Sequence, residues 1–80
     1  MTIESIEDLK TAVQGIVVKD YGDFKRKTVL YINRYYETLK DPSEDLNTKL
    51  FRLKWAIQYH PTGDIEPTRQ WTLSQLDNLH

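Results

Sequence analysis

Eighty residues, a formal net charge of −1 and no cysteine describe one small domain without disulfides, thiolate metal sites or a cysteine nucleophile. A chain of this length buries only about 60% of the surface its unfolded state exposes, so a thin core is expected, with self-association or a partner as its available staple. The near-neutral total argues against bulk attraction to nucleic acid or an anionic membrane, and no apolar run approaches the ~20 residues of a membrane span.

The charge is unevenly spread. Residues 1–23 carry −3, residues 24–40 carry +4, residues 41–60 balance, and residues 61–80 carry −2. A basic segment packed beside an acidic one usually neutralises internally. The opening "MTIESIEDLKTAVQG" begins with acids rather than a basic leader region, so no signal peptide is expected and the cytoplasm is the expected compartment.

Four segments separated by turn signals follow one another. In the first, Ser5 with Asp8 three residues on forms a variant capping box. Ile6, Leu9, Ala12, Val13, Ile16 and Val17 then recur at helical spacing, which predicts a helix over about 5–19. "GIVV" could instead be a short strand, since β-branched residues favour one, but no second strand-like run exists to pair with it. "KDYGD" is the first break, with Gly22 suited to positive φ after a helix end and Asp23 as the next cap.

The second helix is expected over about 23–40. Phe24, Thr28, Val29, Tyr31, Ile32, Tyr35, Tyr36 and Leu39 form its apolar sector, and Leu30 is an outlier among the polar residues. "KDPSED" ends it. Asp41 or Ser43 can cap a third helix over about 42–60, with Pro42 where a missing N–H is harmless and Glu44 and Asp45 at the positive end of the dipole. Pro61 should stop it. The tail reads as loop, then a short helix over about 72–79 with Thr72 and Gln75 as a capping box. The chain is thus expected to be all-α: a single domain over 1–80, a three-helix bundle with a short C-terminal helix or turn.

The third helix has two apolar stripes. Leu46, Leu50, Leu53 and Ile57 fall in a seam about 60° wide, while Phe51, Trp55 and Tyr59 form a ridge roughly opposite. Such a helix is either central in its fold or exposes one side. In the compact reading the C-terminal segment, through Ile65, Trp71, Leu76 and Leu79, folds back over the ridge. In the other, a second copy or a different protein covers it, since interface centres are enriched in aromatics and Arg.

Catalytic groups are sparse. His60 and His80 are the only histidines, three glycines form no phosphate loop, and a domain this small has little room for a pocket. His60, Asp64 and Glu66 are metal-ligand types, but their spacing matches no zinc or calcium loop, and solvated loop residues are the simpler account. No enzyme, cofactor or metal is expected. The leading expectation is a non-enzymatic protein–protein interaction module, a small regulator, inhibitor or accessory subunit. It would use Phe51, Trp55 and Tyr59 with Arg52 and Lys54 as rim charges. The rival is weak, sequence-nonspecific nucleic-acid binding through Arg26, Lys27 and Arg34, which project away from the tyrosines of the same helix. A homodimeric structural domain that simply buries its own ridge is the third reading.

Overall fold

The computed structural model describes residues 2–60 and 63–79. Four helices run in chain order: α1 (Ile6–Gln14), α2 (Tyr21–Thr38), α3 (Glu44–Gln58) and α4 (Ile65–Asp77). No strand occurs among the described residues. Each helix packs on its sequence neighbour, and α4 returns to α1, which closes the four into a ring around one core. Leu9, Val13, Phe24, Ile32, Leu50, Ile57 and Leu76 fill that core.

The expected cap begins α1. The Ser5 hydroxyl accepts from Asp8 N at 3.1 Å, and the Asp8 carboxylate reaches back to Glu4 N at 3.2 Å. The helix stops at Gln14, five residues short of the predicted end. Gly15 and the β-branched run Ile16–Val18 are poor helix formers, and the chain runs on irregularly, burying Ile16 and leaving Val17 exposed. The carbonyls left over at this end are taken by Arg69 of α4, from Nη1 to Val13 and Gln14 and from Nη2 to Ile16, at 2.7–2.8 Å.

Asp20, rather than Asp23, caps α2: its carboxylate accepts from Asp23 N at 3.0 Å. The predicted positive φ at Gly22 is absent, because Gly22 lies inside the first turn of α2. A Cβ at this glycine would stand 2.9 Å from Asp20 Oδ2, so the bare Cα leaves room for the capping carboxylate. Phe24, Thr28, Ile32 and Tyr35 form the buried face. Leu30 is exposed, as its place among polar residues implies, and Tyr36, expected on the apolar sector, is 41% exposed.

The chain leaves α2 at Thr38, and its one non-glycine residue with positive φ among those described is Asp41, at 50°. Ser43 supplies the α3 cap, its hydroxyl accepting from Leu46 N at 3.0 Å. Leu50, Leu53 and Ile57 are buried with Leu46 packed beside them, so the aliphatic seam is the core face of α3. The helix ends at Gln58, and the stop expected at Pro61 lies outside the described residues.

The tail departs furthest from expectation. Helix begins at Ile65, seven residues before the predicted cap, with Pro67 inside the first turn, where no amide N–H is required. Thr72 is not a cap but a wholly buried residue of the helix interior, its hydroxyl donating to Thr68 O at 2.8 Å. The inward face of α4 carries Thr68, Thr72 and Leu76, a stripe too polar to read as a core helix from hydrophobic spacing. No helix among the described residues is long and apolar enough to cross a membrane.

Candidate functional site: the outer face of the third helix

Packing the aliphatic seam inward turns the opposite side of α3 outward. Phe51 is 65% exposed, Trp55 59% and Tyr59 63%. The C-terminal helix does not cover them. It seats against α1 and the flank of α3, and Trp71, expected over the ridge, lies instead with its ring 4.7 Å from that of His60. The reason is polar as much as apolar. Arg69 holds α4 to the end of α1, and Thr68 Oγ1 lies 3.1 Å from the hydroxyl of Tyr21, which donates in turn to the His60 carbonyl. These contacts hold α4 against α1 and the flank of α3, and the aromatic rings stay exposed.

Successive turns of α3 bring the ridge residues together. The rings of Trp55 and Tyr59 stand 4.6 Å apart, tilted by 43°, an arrangement that favours aromatic pairs and limits their freedom before anything binds. With Tyr36 of α2 beside Phe51, four exposed aromatic side chains of about 150–250 Å² each present roughly 350–550 Å² of largely apolar surface. That is the size of the largest patch on a typical monomer, a patch that is often functional.

The two expected rim charges differ in kind. Arg52 is exposed and makes no ion pair among the described residues. Lys54 is half-buried, and its ammonium donates to Asn33 Oδ1 of α2 at 2.9 Å, so it ties α3 to α2 rather than standing free at the rim. Between these helices lies a groove of about 400 Å³ whose walls include Tyr36, Phe51 and Lys54. Asn47 Oδ1 is buried at this groove with no hydrogen-bond partner. Sequence reasoning missed Tyr36 and Asn47. Asn47 stands one turn before Phe51, and that spacing was the available signal.

The nucleic-acid candidates lie elsewhere. Arg26, Lys27 and Arg34 are exposed on α2, and Arg26 is paired with Asp23. Tyr31 is half-buried and Tyr35 buried, so no groove interleaves these cations with stacking rings. His60, Asp64 and Glu66 do not converge. Asp64 precedes α4, Glu66 pairs with Arg69, and no group of three His, Cys, Asp or Glu among the described residues could hold a metal ion.

What the outer face of α3 can do is bury aromatic area against another surface, with the guanidinium of Arg52, unpaired among the described residues, beside it. Comparison of the chain with protein-family models, with curated proteins and with solved structures finds no match.

Proposed function

We propose that this chain is a non-enzymatic protein–protein interaction module, a small regulator, inhibitor or accessory subunit that engages its partner through the outer face of α3. One observation carries the reading: Phe51, Trp55 and Tyr59 occupy successive turns in solvent while the core closes without them. Fixing three rings on a helix lowers the entropy lost on association, and Arg52 adds a group enriched at binding hot spots. Lys54 is left out of the contact set because Asn33 already engages it.

The test is parallel capture with the wild-type chain, Trp55→Ala and the triple variant Arg26→Ala/Lys27→Ala/Arg34→Ala. The proposal expects a bound protein that Trp55→Ala loses by ~2 kcal/mol or more while its far-ultraviolet helicity is unchanged, and that the triple variant retains. Retention by Trp55→Ala would overturn it. Salt-dependent binding of labelled DNA or RNA that vanishes in the triple variant would establish the rival reading instead.

A further inference from the structure

We infer that a second copy of this chain occupies the α3 ridge, in an antiparallel two-fold pairing of α3 with α3; the inference rests on the ridge reading above and names its partner. Six exposed residues make up this face: Glu44, Thr48, Phe51, Arg52, Trp55 and Tyr59. At 100° per residue they share an arc about 100° wide, the outward side of one straight helix. No seventh residue is needed to describe the contact.

A two-fold axis midway between Phe51 and Arg52 pairs these six positions among themselves. Trp55 then meets Thr48 of the second copy, a large ring over a small side chain. Arg52 comes beside Phe51, a guanidinium within reach of a ring face. Tyr59 comes beside Glu44, a phenol donor with a carboxylate acceptor. Each pairing occurs twice by symmetry, as an isologous contact requires. A shift of one turn either way carries Tyr59 or Glu44 past the end of the facing helix.

Charge selects the direction. Antiparallel pairing sets the two helix dipoles in opposite directions and keeps the acidic first turns, Glu44 and Asp45 of each α3, at opposite ends of the pair. Parallel pairing would place Arg52 against Arg52 and Glu44 against Glu44, like charges in register on a desolvated face. The charge pattern of α3 therefore works against the parallel orientation.

Area sets the class of contact. A specific interface at the lower end of the usual range buries about 600 Å² per partner. The three rings of α3 supply roughly 300–450 Å² of it, and Glu44, Thr48 and Arg52 complete the remainder. An interface at this end of the range is typical of transient contacts, so a reversible dimer is expected.

The experiment is sedimentation of the full chain from about 1 μM to 1 mM, paired with acrylamide quenching of Trp55 in a Trp71→Phe variant. Expected are a monomer–dimer equilibrium, Trp55 protection that disappears on dilution, and a dissociation constant raised at least ~30-fold by Trp55→Ala. Spin labels on Gln58→Cys, in a chain with no other cysteine, report the orientation. Thirteen residues of axial offset place the two sites roughly 20 Å apart when antiparallel, against about 10 Å when parallel. The shorter separation would overturn the arrangement. A monomer at every concentration with Trp55 freely quenched would overturn the second copy and leave the ridge to a different protein. A monomer with Trp55 protected would overturn both readings.

Discussion

Arg69 Nη1 donates to the carbonyl oxygen of Val13 at 2.8 Å, so a side chain of the fourth helix closes the end of the first across 56 positions of sequence. Four of the guanidinium's five N–H groups are engaged, three on backbone carbonyls and Nε on Glu66 at 3.1 Å. Its plane lies over Phe24, with the central carbon 5.3 Å from the ring centroid. A helix end buried without partners is costly, and here one residue satisfies it.

Arg69→Met should therefore destabilise the fold by about 1–3 kcal/mol, since charge-assisted bonds are worth more than neutral ones and two of the three carbonyls are partly shielded from water. Arg69→Lys should recover only part, because an ammonium cannot span three carbonyls with the geometry of a planar fork. Urea denaturation gives the magnitude. Amide exchange should locate the loss first in α1 and the 15–18 segment, and uniform loss across all four helices would contradict the capping role.

Hydrophobic spacing made the core faces of α1, α2 and α3 legible, because each buries aliphatic or aromatic residues at a helical period. It could not reveal where α1 ends. Ile16 and Val17 continue the apolar period past Gly15, and the Arg69 side chain that takes up the freed carbonyls is remote in sequence. The same principle hid α4. Its inward face carries Thr68 and Thr72 beside Leu76, the Thr72 hydroxyl bonding Thr68 O and the Thr68 hydroxyl bonding Tyr21 of α2, and such residues count as polar in any periodicity. The ridge residues were legible as a second stripe on α3. Whether they lay open depended on the docking of α4, which those hidden polar contacts decide.

Phe24 and Phe51 test the division between core and outer face with one chemistry. Phe24 is fully buried, so Phe24→Ala should cost about 3–5 kcal/mol and may be compared directly with Phe51→Ala, expected within about 0.5 kcal/mol of wild type. The comparison belongs at a protein concentration low enough that sedimentation shows only monomer, so that self-association contributes nothing. A large loss in dilute Phe51→Ala would move that ring from the outer face to the core.

The start of α2 yields a test of cap assignment. Asp20→Ala removes the acceptor for Asp23 N and should cost about 1 kcal/mol, whereas Asp23→Ala keeps the cap and loses only an exposed ion pair with Arg26, worth a few tenths. Gly22→Ala adds a further check. Alanine in a helix ordinarily gains about 1 kcal/mol over glycine, but its Cβ would crowd Asp20 Oδ2, so the gain should be largely absent. Thermal midpoints of the three variants rank the effects, and an Asp23→Ala loss exceeding that of Asp20→Ala would reverse the assignment.

Alkaline pH should weaken the fold through Lys10 and Tyr35. The hydrogen bond from Lys10 to Asp77, which ties α1 to the end of α4, raises the Lys10 pKa above its ordinary value, with the charges of Asp77 and Glu7 adding to it. Burial of Tyr35 pushes its phenol up as well. Both groups hold their protons more tightly folded than unfolded, so their contributions are complete below the unfolded values of about 10 and 10.4 and decline as pH rises through the higher folded ones. The urea midpoint should thus be level from about pH 8 to pH 9.5 and fall above pH 10. Tyr35→Phe should make the fall shallower because its ring has no proton to lose. Lys10→Met should do the same by removing the ammonium, and it should lower the midpoint at pH 8 only slightly because the pair is solvent-exposed on the Asp77 side. A decline of unchanged steepness in both variants would assign alkaline sensitivity to other groups.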